Sequence, residues 1–185
     1  MAYLEYPRSY PQTHLFLIMQ LPLVPVTKPS VFEHFRIFSA LPEVDAKNLL
    51  RQGYEPQIKM RDTGSLYGYT PPTGQEIWLH KGVFSDIEAL LSGNSEIVTG
   101  YYERQEQRRT NFTKVLPSIL PLLEVTVLHE LVHYGRKLVH GYNPDLDMEE
   151  AIADEFEKQA YGQSHTATSL GISDIIAEPG SPWRR

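Results

Sequence analysis

Apolar residues crowd positions 118–128, a run that continues through Leu131 and Val132. Their density and length predict a core helix, with Leu128, Leu131 and Val132 facing inward. A proline is tolerated only in a helix's first turn, so Pro121 puts the expected start between 117 and 120. Gly135 is expected to bend or end this helix. A second helical pattern covers 147–162, where Ala151, Ile152, Phe156 and Ala160 recur at helical spacing. Asp145 or Asp147 is its expected N-cap, acidic residues fill its first turn, and Gly162 is its stop.

Shorter patterns lie ahead of these. Residues 43–52 read as a short helix closed by Gly53, and 57–62 alternate as a half-buried strand does. A turn-rich loop with Pro71-Pro72 covers 64–74, and 76–80 read as a second strand. Ser85 is expected to cap a helix through Leu91 that ends at Gly93, and the polar stretch 94–113 reads as a lid or surface helix. Residues 15–26 are apolar but broken by Pro22 and Pro25. A membrane helix needs about 20 apolar residues, so no span is expected here. The expectation is extended chain packed on the domain, or a junction to a larger delivery protein. The order of elements predicts an α+β fold, with an N-terminal extended segment or junction over 1–30 and one domain over 31–185.

The chain has 185 residues, 41% of them apolar, which suffices for a single core, while 14 Pro and 12 Gly imply many loops. A net charge of −6 and a pI near 5.6 argue against a nucleic-acid partner. The basic stretch 104–109 contains Glu106 and reads as a solvated helix or linker. With no cysteine, disulfides and thiolate metal sites are excluded. The N-terminus sets Glu5 against Arg8 and offers no small-residue cleavage site, so no signal peptide is read.

The chemistry concentrates in His129-Glu130-Leu131-Val132-His133. Residues at i and i+4 share a helix face, so both imidazoles can reach one Zn²⁺, with Glu130 beside them as candidate general base. With 7 His in the chain, such a run arises by chance in about 2% of sequences of this composition. A catalytic zinc needs a third protein ligand and an open position for water. The acidic helix downstream supplies candidates in Glu149, Glu150, Glu155 and Glu157; Glu178 and His140 are others. Zinc would lower the pKa of its water to about 7. Glu130 would take the proton and later pass it to the leaving amine. Tyr142, between the two helices, is the first candidate for an oxyanion donor, followed by His140, Tyr134 and His165.

Glu150-Ala151-Ile152-Ala153-Asp154 resembles the Glu-Ala-Ile-x-Asp helix of thermolysin-like metallopeptidases, the gluzincins. The resemblance implies that Glu150 is the third zinc ligand and that Asp154 accepts a hydrogen bond from His129. Ligating histidines usually make such a bond. The metzincin register fails, because Gly135 and His140 stand at the wrong distances after His133, and peptide deformylases need a cysteine. The 16 residues between His133 and Glu150 make a tight connection. In size and style the chain resembles the small metallopeptidase toxin domains of bacterial polymorphic toxins and type VI secretion effectors. This implies a minimal zincin: a zinc endopeptidase acting on a protein or peptide substrate. It would be exported without a signal peptide and could meet an immunity protein or a secretion carrier. Zincins pair substrate with a strand, and 76–81 is the candidate edge, with an ordinary sheet strand, and His80 on the surface, as the alternative. The alternative function is a catalytically inactive zinc-binding domain that acts through protein contacts.

Overall fold

The computed structural model describes residues 4–5, 7–51, 53, 55–63, 67–92 and 107–162. It is an α+β fold in which helices surround a small mixed sheet. The first elements are α1 (Pro11–Leu15), a π turn (Phe16–Gln20), a 3-10 turn (Leu21–Leu23), α2 (Val24–Thr27), α3 (Pro29–Phe38) and α4 (Glu43–Leu49). Residues 15–26, expected to be extended, are therefore helical. Pro22 and Pro25 are the second residues of the 3-10 turn and of α2. A missing N–H costs nothing at that position, so each proline restarts the helix instead of breaking it. Phe16, Leu17, Leu21 and Val24 are buried in the same core as the sheet and the later helices.

The strands β1 (Gln57–Arg61), β2 (Gly68–Tyr69) and β3 (Glu76–His80) form a sheet in the order β1-β3-β2. β1 runs parallel to β3, from Gln57 against Glu76 to Arg61 against His80, and β2 runs antiparallel to β3. Ile58, Met60, Ile77 and Leu79 are buried, as alternation requires. β3 is the central strand, so 76–81 does not offer the free edge expected of it; β2 lies at the edge. His80 is buried, where an ordinary sheet strand was expected to leave it on the surface.

α5 (Lys81–Leu91) begins directly after β3, ahead of Ser85, whose hydroxyl meets the Tyr10 hydroxyl at 3.2 Å. Gly93 and most of the polar stretch after it, 94–106, lie outside the described residues. α6 (Gln107–His140) starts about ten residues earlier than expected and runs through Pro117 and Pro121. An interior proline costs about 3 kcal/mol. Against this, Leu122, Leu123, Val125, Val127, Leu128, Leu131, Val132 and Tyr134 are buried, each contributing about 1.5–3 kcal/mol. Gly135 neither bends nor ends the helix. A Cβ there would stand 2.7 Å from the Ser39 Cβ and 3.0 Å from the Ser39 carbonyl oxygen, so glycine allows α3's C-terminal end to approach. The helix ends instead at Gly141, which has a φ of +79°.

α7 (Leu146–Tyr161) has Asp145 as its N-cap, accepting from the Met148 N–H at 3.0 Å, and Gly162 in the left-handed conformation at its end. Phe156 sets it against α3, with ring centroids 6.4 Å from Phe35 and 6.2 Å from Phe38. That packing brings α7 alongside α6 and fixes what the two helices can present to each other.

Candidate metal centre

α6 is buried on nearly every side over 122–132, so its polar side chains stand out. His129 and Glu130 are each about 95% buried, being only 5% and 4% exposed. Charges inside a core need partners, and α7 and Thr70, directly after β2, supply them.

His129 and His133, one turn apart, direct their Nε2 atoms to one point, 3.1 Å from each other. Glu150 reaches the same point from α7, its Oε2 3.4 Å from His129 Nε2 and its Oε1 3.6 Å from His133 Nε2. Ligands of one tetrahedral ion with bonds of about 2.1 Å stand about 3.4 Å apart. The three side chains match that edge length, and together they could hold a metal ion. The donor chemistry agrees. Glu157 Oε1 lies 2.7 Å from His129 Nδ1, and a carboxylate there accepts the ring's proton. This leaves the Nε2 lone pair facing the other nitrogen, an arrangement that calls for positive charge between them.

The electrostatics show how much negative charge gathers around His129. Burial pulls His129 toward its neutral form. The carboxylates of Glu150 and Glu157, and the charge of Glu130, outweigh that and push it up to about 10. Hydrogen bonds to His129 and His133 hold the Glu150 carboxyl well below the usual range. Burial raises Glu130, against the pull of the two imidazoles and of a hydrogen bond from Thr70.

The gluzincin resemblance implies a hydrogen bond from His129 to Asp154, and Asp154 lies near that ring. Its carboxylate belongs to a cluster with His129 and Glu157, within 4.8 Å of both, yet the short contact at Nδ1 is to Glu157. Both residues lie on the face of α7 that turns to α6, and the longer glutamate reaches the ring. Glu157 was one of the competing acids in the sequence, but only the distance between the helices reveals its place.

Glu149, another competing acid, is held elsewhere. Arg136 donates from Nε to Oε2 at 2.8 Å and from Nη2 to Oε1 at 3.2 Å, and Asn143 Nδ2 donates to Oε1 at 3.0 Å. The Arg136 bonds keep its carboxyl below the ordinary range. Arg136 lies three residues after His133, and Glu149 immediately precedes Glu150, so this pair sets the register of α7 on α6. His140 is exposed at the end of α6, Glu155 makes contacts along its own helix, and Glu178 and His165 lie outside the described residues. Tyr134 is fully buried, which pushes its hydroxyl up to about 12. Tyr142 is half exposed and lines a cleft with Tyr69, Thr70, His133, Leu146 and Glu150.

The family described as metallopeptidase toxin 3 matches residues 6–162. No curated protein and no solved structure matches the chain significantly.

Proposed function

The chain belongs to the metallopeptidase toxin 3 family, and from that premise we propose that it is a zinc-dependent endopeptidase whose metal is held by His129, His133 and Glu150. The convergence of two Nε2 atoms and one carboxylate at 3.1–3.6 Å carries this reading. Two nitrogens and one oxygen are a common set for catalytic zinc, which leaves a fourth position open. When bound, zinc supplies Lewis acidity, lowering the pKa of a coordinated water to about 7 and polarising a carbonyl.

The chain's own residues do the rest. Glu157 fixes the His129 tautomer through Nδ1, and Asp154 adds negative charge beside that pair. Glu130 is the general base: it accepts a proton from the attacking water and returns it to the leaving amine. Tyr142, on the cleft wall, donates to the oxyanion that forms at the scissile carbonyl. The substrate lies extended along the edge of β2, where main-chain hydrogen bonds can continue the sheet.

A toxin of this family acts on protein. We extend this to an effector that reaches a target cell by type VI or related secretion and is neutralised at home by an immunity protein. No single helix among the described residues is long and apolar enough to cross a membrane.

The decisive variant is Glu130→Ala. It is expected to retain one zinc per chain by elemental analysis, and to lose peptide hydrolysis by about 10²- to 10⁴-fold. Its expression in a bacterial periplasm or cytoplasm should be harmless where the native chain is not. Full activity in the variant, or a native protein without zinc, would overturn the mechanism.

A further inference from the structure

Glu130 is gripped from outside its own helix. The Thr70 hydroxyl lies 2.8 Å from Glu130 Oε2 and 3.0 Å from the Glu130 carbonyl oxygen. The threonine has one hydrogen to give, and the charged carboxylate is the stronger acceptor. On the other side, a Cβ built on Gly68 would stand 2.5 Å from both Cγ and Oε1 of Glu130, and 2.7 Å from Cδ. No unbonded carbon comes so close. The bare Cα of Gly68 is therefore the surface against which the glutamate's last methylene and second oxygen lie. Gly68 opens β2 and Thr70 directly follows it, and both meet Glu130. Tyr69 between them turns the other way and packs on Trp78, with ring centroids 5.5 Å apart.

We propose that Gly68 and Thr70 are positioning residues for the general base, so that the edge strand β2 and the residue after it hold the Glu130 carboxylate in one orientation. The proposal rests on the assignment of Glu130 as base. A glutamate's terminal torsion is broad, and a buried carboxylate left alone would turn toward whatever donor is near. Thr70 fastens Oε2 and leaves Oε1 as the atom that exchanges the proton. The absence of a side chain at 68 leaves room for Oε1 to do so. A displacement of about 1 Å in such a group can cost about 100-fold in rate.

The test compares zinc-loaded Thr70→Ser, Thr70→Val and Gly68→Ala with the native protein. All three are expected to keep one zinc per chain. Thr70→Ser should keep kcat on a cleaved peptide within about threefold. Thr70→Val and Gly68→Ala should lose about 10- to 100-fold in kcat, with KM within about threefold. A second readout needs no turnover. In a double-mutant cycle, the Tm losses of Thr70→Val and Glu130→Ala should be non-additive, since either change removes the same contact. Additive Tm losses, native kcat in Thr70→Val, or loss of zinc from Thr70→Val or Gly68→Ala would each overturn the proposal. If the native zinc protein cleaves no peptide, the endopeptidase reading fails, and the Tm cycle alone decides whether β2 holds Glu130.

Discussion

Asp154 and Glu157 each place a carboxylate oxygen within 4.8 Å of a His129 ring nitrogen, and Glu157 is the one at 2.7 Å from Nδ1. The difference is one methylene of reach from neighbouring turns of α7. It has consequences for the metal, because the partner at Nδ1 fixes the tautomer and raises the basicity of Nε2. Glu157→Gln keeps an acceptor oxygen but loses the charge. It should weaken zinc binding by about 10- to 100-fold in titrations against a competing chelator. Asp154→Asn should change it by less than about threefold. The reverse ranking would return the role to Asp154. At this scale the meeting of the two imidazoles was legible, because i and i+4 on a helix is a local rule. The position of Glu150 beside them was legible through the Glu-Ala-Ile-x-Asp pattern. Glu157 was not, because α7 carries several acids on adjoining faces and only its packing against α6 decides which one meets the ring. Thr70 and Gly68 gave no signal at all, since they are 60 residues or more from Glu130 and act through tertiary contact.

The two helices that meet at the candidate metal centre are aligned by Arg136, three residues after His133, and Glu149, one before Glu150. Arg136→Ala would free Glu149 and loosen the register of α7. Zinc affinity should fall by about tenfold or more while helix content by circular dichroism stays native. Arg136→Lys should recover only part of the loss, since a lysine cannot make the paired bond; full recovery would show that charge alone is needed. The sheet has its own clamp. Glu76 is bonded by Lys59 across β1 and β3 and by Trp78 Nε1 at 2.7 Å, and the lysine bond first of all lowers its carboxyl below the usual range. A depressed carboxylate stabilises the fold above its unfolded pKa of about 4.3, and that contribution disappears as pH falls through the lower folded value. Acid unfolding near pH 4 and below should therefore be shallower in Glu76→Gln than in the native chain. Element ends with local chemistry were legible: Asp145, one of two N-cap candidates, and Gly162 bound α7, and alternation marked β1. The start of α6 was not, because burial of the helix that follows outweighs its prolines. The helical path through 15–26 was hidden by the same residues, since Pro22 and Pro25 read as breaks unless each happens to open a new turn.

At the scale of the whole molecule, residues before 31 are part of what holds the sheet, α5 and α6 in place. Leu4 pairs with Ile58 at the outer side of β1, and the Glu5 N–H donates to the Ile58 carbonyl at 2.9 Å. The buried Glu88 carboxylate of α5 accepts from the N–H groups of Gln12 and Thr13, at 2.7 and 2.9 Å, and from the Thr13 hydroxyl at 3.1 Å. On α6, buried Glu124 takes Lys28 Nζ at 2.8 Å on both oxygens, and the Tyr161 hydroxyl of α7 at 2.8 Å. Removing residues 1–30 would strip Glu88 of these three donors and Glu124 of its cation, and a buried charge left without its partner costs about 3–5 kcal/mol. It would also remove Leu4, Phe16, Leu17, Leu21 and Val24 from the core, each worth about 1.5–3 kcal/mol. The sum, about 13–25 kcal/mol, matches or exceeds the 5–15 kcal/mol that stabilises an ordinary domain. The fragment 31–185 is therefore expected to show no cooperative thermal transition and no stoichiometric zinc, where the full chain shows both. A fragment that melts cooperatively near the native Tm and binds zinc would make the first thirty residues a junction laid over a domain complete without them.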